Sequence, residues 1–329
     1  MDQSETLQLS SYSPAIRTMD GPQMLSTIVE RVGTPRRVDV DIVVPVYNEQ
    51  EQLSASVITL TNYLSRTRHE EFPYTWNIVV ADNASTDATW PIAAQLASQY
   101  PDLVRAVKIA AKGRGRALKL AWGESEAKVV AYMDADLSTD IRSTNALIWA
   151  LLRGGADVAT GCRLCDESEV TRSLKREVIS QTYNALLRSL LGAAFRDAQC
   201  GFKAMTASAA RHLLPYIQDD EWFFDTEMLL LAQATNMRIY EFPVHWVEDA
   251  GTTVNIPDTI AKDLAGMWRM SRTLKLMRRR QTNRMESLRG AYSQHGISGG
   301  AANSDDAGKP ENSQGHPASA SSPTKPSAL

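Results

Sequence analysis

Two aspartates separated by a single residue are the clearest candidates for chemistry in this sequence. Asp134 and Asp136, with Ala135 between them, follow the apolar run Val129–Met133, and no histidine lies nearby. Paired carboxylates of this kind favour the hard cations Mg²⁺ and Mn²⁺ over zinc. A metal held by so few protein ligands keeps coordination positions open for a substrate diphosphate. We therefore predict that both aspartates bind Mg²⁺ or Mn²⁺, although a lone Asp-x-Asp is more often solvated surface or a helix cap.

A basic loop with two glycines follows another apolar run, Val104–Ile109. Its residues are Lys112, Gly113, Arg114, Gly115 and Arg116. Glycine lets a backbone approach a ligand closely, and basic side chains at the start of a helix bind phosphate oxygens. We predict that this loop holds the same diphosphate as the aspartate pair. Taken alone, such a loop is more often only a basic turn.

Asp82 follows a third apolar run, Trp76–Ala81. An ionised carboxylate only accepts hydrogen bonds, so Asp82 is suited to the imide N–H of a uracil ring. The alternative is that Asp82 caps the helix that follows it.

Short apolar runs alternate with amphipathic segments along the middle of the chain. The predicted strands cover 42–46, 76–81, 104–109, 129–133 and 156–160, and the predicted helices cover 48–64, a segment capped by Ser85 or Thr86, 113–125 and 141–152. Asn48 is the predicted N-cap of the first helix, with Glu51 as its capping-box partner. The alternation predicts an α/β fold of right-handed βαβ units around a mainly parallel, Rossmann-like sheet. Ligands of such sheets bind beyond the carboxyl ends of the strands, so we expect the three groups of residues to converge there.

The totals exclude several classes of protein. A net charge of −3 over 329 residues argues against a surface built for nucleic acid. The sequence lacks both an apolar stretch of roughly 20 residues and the pattern of a signal peptide, so we expect a cytoplasmic protein. Cys162, Cys165 and Cys200 are too few for a disulfide framework, which points to a reducing compartment. We expect Cys162 and Cys165 to be small, half-buried residues rather than a zinc site.

The two ends of the chain differ from its middle. We expect a flexible lead-in over 1–37, the α/β domain over 38–250, a basic amphipathic helical segment over 251–289 and a disordered tail over 290–329, which is rich in Gly, Ser, Ala and Pro. The helical segment contains the apolar residues Ile260, Leu264, Met267, Trp268, Leu274 and Met277 and the basic residues Arg269, Arg272, Lys275, Arg278, Arg279, Arg280, Arg284 and Arg289. Such a helix can lie on an anionic membrane surface, or it can pack on the domain with its charges in water.

Together these residues resemble glycosyltransferase family 2, whose members are inverting enzymes with the GT-A fold. The resemblance runs from about Asp41 to Val247. Its motifs are Val44-Pro45-Val46-Tyr47-Asn48-Glu49, Asp82-Asn83-Ala84-Ser85-Thr86-Asp87, Lys112-Gly113-Arg114-Gly115 and Asp134-Ala135-Asp136. The resemblance implies that the metal is held by Asp134 and Asp136. It also implies that the nucleotide sugar is bound by Pro45, Tyr47, Asn48, Glu49, Asp82, Asn83, Ser85, Lys112, Gly113, Arg114, Asp134 and Ala135.

The second half of the chain resembles the polyprenyl-phosphate branch of that family, first the dolichyl-phosphate glucosyltransferases and then the mannosyltransferases. Its motifs are Asp197–Lys203, Glu221–Glu227 and Pro243–Trp246. This resemblance implies transfer of a hexose onto polyprenyl or dolichyl phosphate, with UDP-glucose favoured over GDP-mannose as the donor. The implied acceptor-phosphate site is Arg163, Arg172 and Arg176, and the implied catalytic residues are Asp136, Asp225, Arg163 and Arg176. As alternatives, the arginines after Thr171 form a solvated helix face, and Asp225 with Glu227 stabilises a helix dipole.

Two departures from this branch bear on the metal and the membrane. Ser138 stands where the mannosyltransferases carry glutamine, so the metal environment can differ. Members often carry their own membrane helices, and none is predicted here. We therefore expect peripheral attachment at the inner face of a membrane, with an integral-membrane partner as an alternative anchor.

Two other classes of protein compete with this interpretation. A phosphatase of the haloacid dehalogenase type also uses an Asp-x-Asp, but normally after the first strand of its domain. A non-catalytic nucleotide-sugar sensor would bind the donor without transferring the sugar.

In the enzyme, a lipid phosphate is already ionised at neutral pH, so we expect catalysis by positioning and charge neutralisation, without a strong base.

Overall fold

The computed structural model describes residues 28–67, 72–247 and 256–295. The strands are β1 (Ile28–Val32), β2 (Val40–Val46), β3 (Trp76–Asp82), β4 (Val104–Ile109), β5 (Val129–Met133), β6 (Val158–Cys162), β7 (Glu169–Thr171), β8 (Phe202–Thr206), β9 (Ile239–Pro243) and β10 (His245–Val247). The α-helices are α1 (Leu53–Thr67), α2 (Thr89–Gln99), α3 (Arg114–Gly123), α4 (Thr144–Leu152), α5 (Leu174–Leu186), α6 (Ala207–Leu213), α7 (Phe224–Ala234) and α8 (Ile256–His295).

Eight strands form one sheet in the order β1-β4-β3-β2-β5-β8-β6-β9, and β7 pairs with β10 in a second, small sheet. Strands β4, β3, β2 and β5 are parallel, as are β6 and β9, whereas β1 and β8 run antiparallel to their neighbours. The predicted mainly parallel sheet is therefore confirmed. The insertion of β8 beside β5 also brings Gly201 to the aspartate pair, where its carbonyl accepts a hydrogen bond from the Asp134 N–H at 3.2 Å.

The central strands are buried on both faces, which is why they read as continuous apolar runs in the sequence. In β2 and β3, Val43 and Val79 face one hydrophobic core, and Val44 and Val80 face the other. Helices α3, α7 and α8 contribute side chains to the first core, and α1, α2 and α4 contribute to the second. This packing on both faces fixes the carboxyl ends of the parallel strands at a common edge.

Two local expectations at the start of the domain are wrong. Ile28–Val32, inside the expected lead-in, forms β1 and pairs with β4. Asn48 does not cap α1, which begins only at Leu53. Instead, Asn48 adopts a left-handed conformation with a φ of 56°, and its Oδ1 accepts a hydrogen bond from the Thr86 N–H at 2.9 Å. The asparagine thus connects two loops at the edge of the sheet.

Helix α8 packs on the domain along one of its faces. Met267, Met270, Leu274 and Met277 are buried in the first core, whereas Trp268 is 65% exposed. The expected contact with a membrane therefore concerns the exposed face and stays a prediction. Among the described residues, none of the helices has the length and apolar character that crossing a membrane requires. Apart from β1, the division of the chain into four segments stays a prediction, because 1–27, 248–255 and 296–329 lie outside the described residues.

The expectation of two unlinked cysteines after β6 is wrong. Cys162 and Cys165 are joined by a disulfide bond that closes a loop around Arg163 and Leu164. Cys200 is a buried free thiol. A bond between cysteines three residues apart needs no framework of several disulfides, so the small number of cysteines did not exclude it. The inference of a reducing compartment from cysteine usage loses its support.

Candidate active site

The aspartate pair lies in the loop that follows β5. Asp134 is partly exposed, and its Oδ1 accepts a hydrogen bond from Arg114 Nη2 at 2.9 Å. A Cβ atom at Gly201 would overlap Asp134 Oδ2, so only glycine leaves room for this carboxylate. Asp136 Oδ1 accepts a hydrogen bond from the Ser138 N–H at 2.9 Å. The loop thus holds both carboxylates at the edge of the sheet.

Arg114 bridges two carboxylates that lie far apart in the sequence. Its Nη1 donates to Asp225 Oδ2 at 2.6 Å, and its Nη2 donates to Asp134. The guanidinium lies over the rings of Tyr132 and Trp222, 4.7 and 5.1 Å from their centroids. Burial alone would lower the pKa of Arg114, but the neighbouring Tyr132, Asp134 and Asp225 raise it well above its ordinary value. Arg114 is therefore a permanent positive charge in the site, and its predicted contact with the diphosphate stays a prediction.

Asp225 is an anchor inside the fold, only 2% exposed. Its Oδ1 accepts a hydrogen bond from the Tyr132 hydroxyl at 2.5 Å and lies 3.5 Å from Lys203 Nζ. Burial acts to raise the pKa of Asp225, but Lys203 and Arg114 outweigh it and hold the pKa below its ordinary value. An ionised carboxylate with these partners is poorly placed to take a proton from a substrate, and it fixes one side of the Arg114 guanidinium; its predicted catalytic role stays a prediction.

Sequence reasoning assigned no role to Tyr132 or Lys203. Tyr132 lies in the middle of an apolar run and reads as core, and Lys203 is a fully buried lysine. The two residues are opposite each other in the pairing of β5 with β8. A basic residue in the apolar segment 202–206 was the one available signal, because a buried lysine needs a partner of opposite charge.

The basic loop packs against the segment that leads into α7. A Cβ at Gly113 would lie 2.5 Å from the Asp220 carbonyl oxygen, and one at Gly115 would lie 2.6 Å from the Phe224 Cβ. The glycines are therefore required by contact with the protein, whereas the sequence suggested close approach to a ligand. Arg116, expected to help clamp phosphates, donates from Nη2 to Asp220 Oδ2 at 2.7 Å.

The two loops predicted to bind the nucleotide lie side by side. Lys112 Nζ lies 3.5 Å from the centroid of the Tyr47 ring. Asn83 Oδ1 accepts a hydrogen bond from the Gly113 N–H at 2.6 Å, which connects the loop after β3 to the basic loop. Asp82 is fully buried: its Oδ1 accepts from the Ser85 N–H at 2.9 Å, and its Oδ2 has no hydrogen-bond partner among the described residues. A buried carboxylate oxygen without a protein donor is open to a hydrogen bond from a water molecule or a ligand.

The remaining residues of the opening motif are also placed at this edge. Pro45 lies opposite Ala81 in the pairing of β2 with β3. The Asn48 N–H donates to Ser85 Oγ at 3.0 Å, and the Glu49 N–H donates to Thr89 Oγ1 at 2.8 Å. These bonds fix the segment 44–49 against the loop after β3 and the start of α2.

The predicted acceptor arginines follow β6. Arg163 donates from Nε and Nη2 to the two carboxylate oxygens of Asp197, at 2.8 and 2.9 Å. Burial lowers the pKa of Arg163, but the charge of Asp197 outweighs this effect and raises the pKa above its ordinary value. Asp134 adds to the rise, so Arg163 lies within electrostatic reach of the aspartate pair. Arg172 pairs with Glu177, and Arg176 is half-buried on α5. Burial would raise the pKa of Asp197, but Arg163 lowers it to about 2.

The residues present fit a divalent metal in part. Two carboxylates offer hard oxygen ligands, and the Asp134 side chain is 39% exposed. Across the parts of the chain that the structure describes, no group of three or more His, Cys, Asp or Glu side chains is arranged to hold a metal. An ion here would therefore need ligands from the substrate and from water, as an open catalytic site does.

Comparisons with known proteins support the same interpretation. The chain is 34% identical to the glycosyltransferase AglD of Haloferax volcanii over 238 residues, a match that covers 71% of this chain but 36% of that protein. It is 26% identical to the dolichyl-phosphate beta-glucosyltransferase of Dictyostelium discoideum, covering 76% of this chain and 79% of that one. It is 28% identical to the human dolichyl-phosphate beta-glucosyltransferase, covering 72% and 79%.

A solved structure confirms the predicted fold. Glucosyl-3-phosphoglycerate synthase from Mycobacterium tuberculosis, in complex with Mn²⁺, UDP and phosphoglyceric acid, superposes with a TM-score of 0.51 at 16% identity, covering 79% of this chain and 84% of that one. This likeness establishes the GT-A fold alone. The model of glycosyl transferase family 2 matches residues 41–214, more than half of the chain. The phosphatase alternative is therefore wrong: the chain belongs to glycosyl transferase family 2.

Proposed function

We propose that this protein transfers a hexose, glucose from UDP-glucose, onto the phosphate of a polyprenyl or dolichyl lipid. The observation that carries the proposal is the convergence at one sheet edge of the aspartate pair, Arg114 and the Asp225 anchor, with Arg163 in electrostatic reach. The names of the relatives that align over most of their length support the acceptor. The alternative donor is GDP-mannose, from which mannose would be transferred. The alternative function is that of a non-catalytic nucleotide-sugar sensor.

The nucleotide would lie over the loops after β2 and β3. Asp82 Oδ2, buried without a donor, would accept the imide N–H of uracil. Lys112, beside Tyr47, would reach the diphosphate. Asp134 and Asp136 would hold Mg²⁺ or Mn²⁺, which neutralises charge on the leaving diphosphate when it is bound.

Arg163, Arg172 and Arg176 would hold the acceptor phosphate. Arg163 uses Nε and Nη2 for Asp197, and a guanidinium has five N–H donors, so three donors remain for a phosphate. Asp197 supports this role because its two oxygens fix the plane of the guanidinium. Asp197 also offsets the charge of Arg163, as Glu177 offsets that of Arg172, so the acceptor phosphate would be held mainly by hydrogen bonds from the free guanidinium N–H groups.

The reaction needs no strong general base. The acceptor phosphate is ionised at neutral pH, so its oxygen attacks the anomeric carbon directly while the bond from that carbon to the nucleotide diphosphate breaks, with inversion. The ionised, enclosed state of Asp225 agrees with this chemistry, because the carboxylate serves Arg114 and takes no proton. Catalysis then rests on position and on the preorganised charges of the site.

The exposed apolar side chains of α5 and α8 support peripheral attachment to a membrane. On α5, Leu174 is 85% exposed and Val178 is 62% exposed, and on α8, Trp268 is 65% exposed. Arg272 lies over the Trp268 ring, 4.8 Å from its centroid, so basic and aromatic groups occur together. Such a surface suits an anionic leaflet, here the inner face of a membrane, and an integral-membrane partner is the alternative anchor.

A transfer assay tests the proposed function. The full chain is incubated with Mn²⁺, dolichyl phosphate and radiolabelled UDP-glucose or GDP-mannose, and label entering the organic phase is counted. We expect transfer from UDP-glucose that EDTA abolishes. Transfer from GDP-mannose alone would show that the donor is GDP-mannose and not UDP-glucose. Binding of a nucleotide sugar without any transfer would favour the non-catalytic sensor over the enzyme. Asp140→Asn, a matched charge change near the aspartate pair in a residue that pairs with Arg142, serves as the control variant.

A further inference from the structure

The disulfide bond encloses Arg163, one of the three arginines proposed to hold the acceptor phosphate. Cys162 ends β6, Cys165 follows three residues later, and Arg163 lies between them. The Arg163 N–H donates to Asp197 Oδ2 at 3.0 Å, so the backbone as well as the side chain of this arginine depends on the position of the loop. A crosslink at this place therefore acts on the orientation of Arg163.

We propose that Cys162 and Cys165 are a reversible redox-modification site that controls acceptor binding: the oxidised pair fixes the segment that carries Arg163, and reduction loosens it. The inference rests on the proposed function in so far as Arg163 holds the acceptor phosphate. The covalent change itself depends on the cysteines alone.

The bonds that remain after reduction are few. Ser168 Oγ donates to the Cys162 carbonyl at 2.5 Å, and the Ser168 N–H donates to the Cys165 carbonyl at 3.1 Å. Regular pairing resumes at Glu169, whose N–H donates to the Val244 carbonyl at 3.2 Å. Between Cys162 and Glu169 the reduced chain would be held by these contacts, by the Arg163–Asp197 pair and by the packing of Arg163 on Trp246. The one further contact is the exposed ion pair of Asp166 with Arg196, so the described segment gains conformational freedom on reduction.

The three cysteines differ in how well they can react. Cys162 is fully buried, whereas Cys165 is half-buried in the turn, so Cys165 is the member of the pair that a reductant meets first. Cys200 is also buried, and burial raises the pKa of its thiol to about 12, so it stays protonated and does not compete. The exchange therefore begins at Cys165, and the buried Cys200 thiol does not take part.

Thiol–disulfide exchange with a small thiol such as glutathione accounts for the reaction. A glutathione thiolate attacks Cys165 Sγ, forms a mixed disulfide and releases the Cys162 thiolate, which takes a proton. A second glutathione thiolate attacks the sulfur of the first, releases Cys165 and leaves glutathione disulfide. Two electrons pass from two glutathione molecules to the cystine, and two protein thiols result.

The covalent change can be measured without any transfer assay. The full chain is equilibrated with glutathione at several ratios of reduced to oxidised form, alkylated under native conditions and weighed by mass spectrometry, and parallel samples receive limiting trypsin. We expect two alkylated cysteines on reduction, with faster cleavage of the Arg163–Leu164 bond. Cys165→Ser should be cleaved at the fast rate under both conditions, and Cys200→Ser should respond as the wild type does.

The functional consequence is a change in acceptor affinity. We expect reduction to raise the KM for dolichyl phosphate by roughly five- to thirtyfold, the effect of ordering about one further residue on binding, while the KM for the nucleotide sugar stays constant. An equal KM and an equal cleavage rate in both redox states, or the absence of a disulfide at every glutathione ratio, would overturn the proposal. Redox-dependent cleavage without any sugar transfer would instead support the switch in the loop and count against the proposed function.

Discussion

Replacing Asp263 by asparagine should stabilise the protein, and more strongly at higher pH. Asp263 lies on α8 and is 5% exposed. Its Oδ2 accepts a long hydrogen bond of 3.4 Å from Gln199 Nε2, and its Oδ1 is buried without a hydrogen-bond partner among the described residues. Burial first, and then the nearby Asp219, raise the pKa of Asp263 to about 7.

The sign follows from proton binding in the two states. The unfolded chain releases this proton near pH 3.8 and the folded chain near pH 7, so the free energy of unfolding falls as the pH rises between these values. Each pKa unit corresponds to about 1.4 kcal/mol, so ionised Asp263 destabilises the fold by about 4 kcal/mol at most. Relaxation and water entry reduce such a cost, and we expect about 2 kcal/mol to be lost between pH 5 and pH 8. Asparagine keeps the shape of the side chain and removes this loss.

Urea unfolding at pH 5 and pH 8 measures the effect directly. The advantage of Asp263→Asn over the wild type should grow by about 2 kcal/mol from the lower to the higher pH, which is the stability that the wild type loses over the same range. Asp225→Asn is the opposite control: it breaks a buried ion-paired network and should destabilise the fold at pH 8 by about 3 kcal/mol. A pH-independent difference for Asp263→Asn, or a loss of stability at pH 8, would refute the reasoning.

Three further variants test separate parts of the site and surface. Asp136→Asn should lower kcat by on the order of 100-fold, with Asp140→Asn near wild type in the same transfer assay, since only the former removes a predicted metal ligand; equal rates would remove the metal from the mechanism. Arg114→Lys keeps one charge but cannot bridge two carboxylates as a planar fork does, so urea unfolding should show a loss of about 2 kcal/mol, whereas an unchanged midpoint would show that the bridge contributes little. Trp268→Ser should reduce sedimentation with anionic liposomes, while Val29→Ser, an exposed apolar residue on β1, should not; equal sedimentation would dismiss the α8 face as a membrane contact.

The sequence predicted those parts of the fold that depend on local pattern. Strands buried on both faces appear as continuous apolar runs, so β4 and β5 were bounded correctly at Val104–Ile109 and Val129–Met133. β1 was missed because this exposed edge strand has no such run. The antiparallel insertion of β8 was missed because periodicity gives the type of an element and carries no information about its neighbours.

The sequence predicted which loops form the candidate site, but it did not predict which side chains pair with each other there. The segments after the strands converge as expected, because parallel strands end at one edge. The bridge from Arg114 to Asp225 spans 111 residues of sequence, and only the packing of α7 against the basic loop creates it. Lys203 and Tyr132 meet only through the register of β5 and β8. Local composition cannot show contacts of this kind.

The stereochemistry of the product tests the central claim most directly. A single displacement by a lipid phosphate on UDP-glucose, an α-linked donor, must invert the anomeric carbon. The glucosyl lipid phosphate is extracted after incubation of the full chain with Mn²⁺, UDP-glucose and a short-chain polyprenyl phosphate, and its anomeric configuration is determined by NMR. We predict a β-linked glucosyl phosphate; an α-linked product, or glucose released to water with no lipid product, would contradict the account.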